Sequence, residues 1–168
     1  MSSAHAILSP SAASRWLACT PSARLEQQFP NKSSSAADEG TLAHRLGELL
    51  INEKLGRLTK QKVKAEMKEI TASQYYDAAM QEHADNYATY VLERFNEARA
   101  RTSDAVLFTE KKLNLTDYIQ EGFGTGDAGI IADAVLDLID LKYGKGVPVS
   151  SVDNKQLMMY GLGVLRDY

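Results

Sequence analysis

The hydrophobic pattern of this chain changes its period once, after about residue 101, and that change limits the folds open to it. Before it, apolar residues recur every three or four positions, as they do on one face of an α-helix. After it come three short β-branched or aliphatic runs bounded by Gly and Asp, which is typical of strands. A final helical pattern follows. Helices, three strands and a helix predict an α/β or α+β domain.

Two helices are expected in the middle of the chain. The first, over 39–55, carries a stripe of four leucines, Leu42, Leu46, Leu49 and Leu50. The second covers about 73–99, and we interpret its apolar positions as core or partner-facing residues: Tyr76, Met80, Ala84, Tyr87, Val91, Phe95 and Ala98.

The first thirty residues predict two short helical turns. Ser9-Pro10 and Thr20-Pro21 each place a hydroxyl before a proline, the order found at helix starts, and Pro30 closes the second turn. The polar segment 31–37, NKSSSAA, predicts a loop.

The three strands are predicted over 105–115, 128–132 and 135–143. Ala132-Asp133-Ala134 forms a tight link between the last two strands, and Asp153 or Asn154 caps the final helix. We expect one domain, 1–168, with an N-terminal helical segment (1–37) and a core (38–168) that has a helical insertion at about 57–101.

Composition excludes several classes of protein. The 168 residues are 44% hydrophobic and 24% charged, which suits a folded globular chain. No apolar run approaches the ~20 residues of a membrane span, and the first residues lack the pattern of a secretory signal. Cys19 is the only cysteine, which excludes an intrachain disulfide and a cysteine-only metal site within this chain. We therefore expect a cytoplasmic protein without membrane partners.

Charge is distributed unevenly. The net charge of −3 argues against a sequence-wide electrostatic grip on nucleic acid. The segment 54–68 nevertheless holds six basic residues and one acidic residue. Such a run is commonly a solvated face, but it also provides a local patch for a nucleic-acid strand.

The richest chemistry lies in residues 122–146. Side chains alternate along a strand, so Asp140 and Lys142 share a face, and an antiparallel pairing brings Asp127 close to Asp140. Two such carboxylates suit Mg²⁺ or Mn²⁺, and a lysine beside them can orient water or offset charge on a phosphate. The alternative is a hairpin with a solvent-facing Asp–Lys pair.

Three further side chains are candidates. His44 lies opposite the leucine stripe of its helix, on a face with Gly40, Gly47 and Ile51. Gln156 and Tyr160 are four residues apart and share a helix face. Each has a structural alternative: a hydrogen-bonded histidine, a surface glutamine and an amphipathic core tyrosine.

The ordered set resembles a known family. Gly40-x3-His44, Gly124-x2-Asp127, Asp140-Leu141-Lys142 and Gln156-x3-Tyr160 resemble the RecB-type branch of the PD-(D/E)XK nuclease superfamily, as does the opening SPSAASRWLACTPSARL. The whole chain most resembles a phage and prophage family of unknown function with this signature, particularly in EGTLAH, EGFGTGDAGII and IDLKYGKGVPV.

The resemblance implies a role for each residue. His44, Asp127 and Asp140 would bind Mg²⁺ or Mn²⁺, and the backbone carbonyl of Leu141 would complete the protein ligands. Lys142 would position or activate the attacking water. The last pair, Gln156 and Tyr160, would support the active site and contact DNA, with Glu110 a second-tier candidate nearby.

The resemblance also implies a restriction-endonuclease-like core with a mixed three-stranded sheet. Many relatives hold an iron–sulfur cluster on four cysteines, and Cys19 alone predicts that this chain holds none. The fourth core strand has no sequence left to form it, so we expect a chain truncated at its C-terminus. The resulting free sheet edge and helix favour a homo-oligomer.

The expected function is a Mg²⁺- or Mn²⁺-dependent deoxyribonuclease, with an exonuclease favoured, in phage or prophage DNA recombination, repair or processing. Its partners would be DNA and phage recombination or replication proteins in the cytoplasm of a bacterial host. The alternative is a catalytically inactive nuclease-fold module that binds DNA or a phage protein.

Overall fold

The computed structural model describes residues 6–29, 34–144 and 148–168. Within them the chain forms an α+β fold, as predicted. A 3-10 turn at Pro10–Ala12 is followed along the described chain by five helices, three strands and a final helix. The helices are α1 (Ala13–Ala18), α2 (Ser22–Glu26), α3 (Ser35–Lys54), α4 (Lys60–Thr71), α5 (Ala78–Arg101) and α6 (Lys155–Asp167). The strands are β1 (Val106–Asn114), β2 (Phe123–Ala132) and β3 (Val135–Ile139).

The two N-terminal helical turns are confirmed, but only one of the two predicted hydroxyl residues occupies an N-cap. Ser9 is the N-cap of the 3-10 turn, although its Oγ lies 3.2 Å from the Oγ of Ser11 and makes no capping bond. Pro21 itself occupies the N-cap of α2, so the hydroxyl of Thr20 is one residue too early. Pro30 lies outside the described residues.

Helix α3 begins four residues before its predicted start. The Oγ of Ser34 accepts a hydrogen bond from the N–H of Ala37, so Ser34 is the N-cap and the loop prediction is wrong for residues 35–37. Residues 31–33 of the predicted loop lie outside the described residues.

Helix α5 begins later than predicted. Asp77 is its N-cap, since Oδ1 accepts a 2.7 Å hydrogen bond from the N–H of Met80. The prediction that its apolar positions form core is confirmed. The buried members are Met80, Ala84, Val91, Phe95 and Ala98, and Tyr76 and Tyr87 pack against them partly buried.

The sheet has the order β1-β2-β3 and is antiparallel, so the predicted mixed sheet is wrong. Consecutive strands are joined without a helix between them, and a parallel pairing would need a long crossover connection. Strands β2 and β3 pair with Ala128 opposite Ile139 and Ala132 opposite Val135.

The predicted tight link between β2 and β3 is confirmed. Asp133 and Ala134 have φ values of 52° and 57°, the left-handed pair that a two-residue hairpin requires. Strand β2 begins five residues earlier than predicted, and β3 ends at Ile139 instead of continuing to Tyr143. Asp140 and Lys142 therefore follow the strand instead of lying in it.

The chain divides into two compact units. Unit 1 consists of the described residues within Met1–Lys32, Glu110–Gly126 and Pro148–Tyr168, and unit 2 of those within Ser33–Thr109 and Asp127–Val147. Strands β1 and β2 thus contribute residues to both units.

Each unit has its own hydrophobic core. In unit 2 the core forms mainly between α3 and α5, with β2 residues such as Ile130 completing it. In unit 1 a smaller core gathers around Trp16, and includes Ala13, Ala23, Leu115 and Ile119. The indole Nε1 of Trp16 donates to the carbonyl of Ser9 at 2.9 Å, which satisfies its buried polar atom.

Helix α6 begins at Lys155 because Asn154, one of the two predicted caps, accepts a hydrogen bond from the N–H of Leu157 at 3.1 Å. In the part of the chain that the structure describes, no helix combines the length and the apolar character needed to cross a membrane.

Candidate functional site

Asp127 is the one buried charged side chain among the residues that the structure describes, with 8% of its surface exposed. It lies on β2, one residue before the paired Ala128, so the antiparallel register puts it opposite Asp140. Its Oδ2 accepts a 2.7 Å hydrogen bond from the N–H of Leu141, and its Oδ1 lies 3.4 Å from the Nδ1 of His44. A buried carboxylate is thus fixed by partners from two elements.

His44 approaches this carboxylate from α3, with 30% of its side chain exposed. The prediction that it avoids the leucine stripe is confirmed, since Leu46, Leu49 and Leu50 point into the core while His44 meets Asp127. Two of the three residues that share its face, Gly47 and Ile51, are packed against other parts of the protein, however. Ile51 is completely buried, and a Cβ on the glycine at position 47 would lie 2.9 Å from the ring of Tyr87.

Asp140 and Lys142 form a direct ion pair, with 2.5 Å between Nζ and Oδ2. Only 10% of the Asp140 side chain is exposed, against 50% for Lys142. The sequence predicted that the two share a face of a strand, but they meet in the segment after β3. Lys142 thus pairs with a nearly buried carboxylate while half of its side-chain surface stays exposed to solvent.

The pKa of the Asp140 carboxyl is raised above its usual value, chiefly because burial disfavours its charged form. The negative charge of Asp127 raises this pKa further, while the hydrogen bond and charge of Lys142 and the charge of His44 lower it. Burial and the neighbouring carboxylate together outweigh the effect of the positive side chains on this pKa. Two oxygen donors and an imidazole here form a donor set that fits a hard divalent cation.

The main chain at Leu141 takes part in a way that the sequence did not predict. Its N–H donates to the Asp127 carboxylate, while the role of its carbonyl as a metal ligand stays a prediction. This bond lies two residues beyond Ile139, the last residue of β3 that pairs with β2. The alternation of side chains in a strand sequence does not predict which acceptor a main-chain N–H will bind after the strand has ended.

Gln156 and Tyr160 form a separate pair on α6, in unit 1. The prediction of a shared face is confirmed, since the Nε2 of Gln156 donates to the Tyr160 hydroxyl at 2.9 Å. Tyr160 is buried, so its structural interpretation as a core residue holds as well. It also lines a cavity of about 200 Å³ whose wall includes the hydroxyl residues Ser9, Ser11 and Thr125.

The two motif glycines have different surroundings. A Cβ at Gly124 would lie 2.6 Å from the Cγ of Pro10 and 2.8 Å from the Cε1 of Tyr160, so close packing in unit 1 requires a glycine there. A Cβ at Gly40 would meet nothing within 4 Å. Glu110, the second-tier candidate, is half-buried on β1 with a φ of 43°.

No solved structure matches the chain. The likeness to RecB-type nucleases and to their restriction-endonuclease-like core therefore stays a prediction. One family model, described as "Protein of unknown function (DUF2800)", matches residues 5–168. Since this match covers nearly the whole length of the chain, the protein belongs to the DUF2800 family.

Proposed function

We propose that this protein is a metal-dependent DNA nuclease that hydrolyses phosphodiesters with Mg²⁺ or Mn²⁺ held by His44, Asp127 and Asp140. The observation that carries the proposal is that the Asp127 carboxylate lies 3.4 Å from the Nδ1 of His44, and that the charges of both residues act on the nearby Asp140 carboxyl. His44 is 83 residues from Asp127 in the sequence, and the β2–β3 hairpin brings Asp127 and Asp140 together.

The residues around the donors support the same chemistry. A bound divalent cation would lower the pKa of a water and stabilise charge on the phosphoryl oxygens. Asp127 is held by the Leu141 N–H, so its remaining oxygen is kept towards His44. Lys142, half exposed beside Asp140, can orient the attacking water or bind a phosphate oxygen. We propose that Gln156 and Tyr160 contact the DNA.

We place this activity in recombination, repair or processing of phage or prophage DNA in a bacterial cytoplasm, together with phage recombination or replication proteins. The resemblance of the four motifs to those of RecB-type nucleases, and of the chain to a phage and prophage family, supports this setting. An exonuclease is the favoured mode for the same reason.

A second candidate is a nuclease-fold module that binds DNA or a phage protein without cutting it. The ion pair between Lys142 and Asp140 favours this candidate, because the lysine already offsets the charge of one carboxylate. The two candidates differ in whether a divalent cation binds and whether it supports hydrolysis.

The test is cleavage of linear double-stranded and single-stranded DNA with Mn²⁺, by wild type, Asp140→Ala and Lys142→Ala. The matched control is Asp133→Asn, an exposed turn position whose φ of 52° an asparagine tolerates. We expect wild type and control to cleave equally, and the two site variants to lose about 10²–10³-fold in rate.

Equal cleavage by all four proteins would come from a contaminant and would contradict the proposal. Thermal unfolding with Mn²⁺ separates the candidates further, because only a protein that binds the ion is stabilised by it. Stabilisation that depends on Asp127 and Asp140 but brings no cleavage would support the binding module.

A further inference from the structure

The six basic residues of segment 54–68 fall into two groups of three. One group contacts neighbouring parts of the protein, and the other forms no ion pair with an acidic side chain in the described residues. Arg57 donates to the carbonyl of Leu107 at 2.8 Å and to the side chain of Asn52 at 3.3 Å. The Nζ of Lys54 lies 3.5 Å from the hydroxyl of Thr89. Lys62 lines a cavity that also contains an arginine and two glutamates. Half of the basic residues in this segment thus have local roles.

The other three basic residues form a row along α4. Lys60, Lys64 and Lys68 are all exposed and follow each other at intervals of four residues, so they lie on one helix face. A rise of 1.5 Å per residue separates neighbours by about 6 Å. In the part of the chain that the structure describes, none of the three forms an ion pair with an acidic side chain.

The glutamates of α4 are turned away from this row and are already engaged. At about 100° per residue, Glu66 and Glu69 lie on the side of the helix opposite Lys64. Arg45 of α3 binds both: its Nε is 3.0 Å from Glu66 Oε2, and its Nη2 is 2.6 Å from Glu69 Oε2. The negative charges of α4 therefore face α3 and leave the lysine row electropositive.

The surface between the lysines suits a polar strand and not a lipid bilayer. Gln61 and Ala65, which lie beside the row, are exposed and small or polar. The apolar residues of α4, such as Val63 and Ile70, are buried in the core of unit 2, and α4 exposes no large hydrophobic side chain. A helix that binds in a membrane interface needs an exposed apolar face.

We propose that Lys60, Lys64 and Lys68 bind consecutive phosphates of one nucleic-acid strand and form a backbone-binding row apart from the proposed metal ligands. The row is about 12 Å long, and a duplex strand carries one charge per 3.4 Å of axis, so it spans roughly three to four phosphates. This inference rests on the proposed function in one respect, namely that the bound nucleic acid is DNA. With a net charge of −3, the chain requires such a local surface to hold a polyanion.

The test is DNA binding by the full chain in EDTA, so that no cleavage contributes. Fluorescence anisotropy with labelled 20-mer duplex and single-stranded DNA, between 50 and 200 mM salt, compares wild type with Lys60→Gln/Lys64→Gln/Lys68→Gln. Glutamine is a good helix former, so α4 keeps its conformation, which circular dichroism and thermal unfolding check.

The matched control is Arg24→Gln/Lys54→Gln/Lys62→Gln, which changes the net charge equally and leaves the neighbours of Gln156 unchanged. We expect the row variant to bind at least about tenfold more weakly at 50 mM salt, with a slope of log K against log salt reduced by roughly two to three on duplex DNA. The control should stay within about twofold of wild type. Equal losses in both variants, or no loss in the row variant, would overturn the inference.

Two further measurements distinguish this inference from the proposed function. If the row effect is found while no protein cleaves DNA with Mn²⁺, the row stands and the nuclease fails. If both hold, the row variant should show a raised KM with kcat unchanged. Loss of binding to anionic phosphatidylserine vesicles, with DNA binding intact, would assign the row to lipid and overturn the proposal.

Discussion

At the residue scale, the molecule keeps Asp127 and Asp140 close together although one of them is buried and the other nearly so. The carboxylates face each other across the end of the β2–β3 pair, and Lys142 and His44 offset their charge in part. Burial, and after it the charge of Asp127, makes the charged form of Asp140 unfavourable in the cation-free protein, and a bound divalent cation would offset this cost.

Asp140→Asn should therefore stabilise the cation-free protein. The raised pKa of Asp140 means that folding disfavours its charged form, and asparagine removes that charge at nearly the same volume. We expect the melting temperature in EDTA at pH 7.5 to rise by a few degrees, since about 1 kcal/mol corresponds to roughly 2–4 °C for a chain of this size.

In Mn²⁺ wild type should have the higher melting temperature, because the ion stabilises wild type and does not stabilise Asp140→Asn. Differential scanning calorimetry with and without the ion measures both effects. Asp133→Asn, on the exposed turn of the same hairpin, should be neutral in both conditions. A lower melting temperature of Asp140→Asn in EDTA would show that its ion pair with Lys142 outweighs the cost of burial.

The grouping of His44, Asp127, Asp140 and Lys142 could be predicted from motif order and an antiparallel register. The role of the Leu141 N–H could not be predicted, because it depends on where β3 ends. Alternation of side chains along the sequence predicted an end at Tyr143, and the strand ends at Ile139.

At the scale of elements, the close approach of Pro10 and Tyr160 to β2 explains why Gly124 is a glycine. No such contact explains Gly40. Gly124→Ala should destabilise the protein by about 1–3 kcal/mol, because the new methyl group would overlap Pro10 and Tyr160. Gly40→Ala, within α3 and without near neighbours, should stabilise by about 0.5–1 kcal/mol. Urea unfolding of the two variants measures the contrast, and equal effects of the same sign would contradict it.

The contact between β1 and α6 predicts a loss of stability at alkaline pH. Lys111 lies 3.2 Å from Asp167 and 4.1 Å from the ring centre of Tyr168. Burial lowers its pKa, but hydrogen bonds to Tyr168 and Asp167 raise it more, so the net shift is upward. Since the folded pKa exceeds the unfolded one, the stabilisation is complete below about pH 10.4 and disappears as pH rises through the folded value.

Lys111→Met should accordingly cost about 0.5–1 kcal/mol at pH 8 and progressively less above pH 10.5. Urea unfolding of wild type and variant across pH 8–11 gives this difference. A gap that stays constant with pH would mean that the methylenes of Lys111, and not its charge, stabilise the contact.

Element types were well predicted by periodicity, while element ends were not. The starts of α3 and α5 differ from prediction because Ser34 and Asp77 accept hydrogen bonds from the first helical turn. Several Ser, Thr and Asp residues near each start were equally suitable caps in the sequence, and only tertiary packing selects one of them. The antiparallel sheet could have been predicted from its short connections.

At the scale of the whole molecule, the net charge is the sum of an acidic cluster and a basic row at different places in the fold. The net charge of −3 combines carboxylates gathered near His44 with the row of lysines along α4, and only the fold separates them. Composition therefore predicted a folded globular chain, but it did not indicate where on the surface a polyanion would bind.

The division into units has a consequence for how the polypeptide is made. The chain passes between them at residues 32–33, 109–110, 126–127 and 147–148, so unit 1 is assembled from three separate stretches. During synthesis unit 2 can close once residue 147 has left the ribosome, whereas unit 1 waits for α6. Helices α1 and α2 are thus made well before their partners in α6, and Trp16 stays without its full core until α6, which carries Leu162, has left the ribosome.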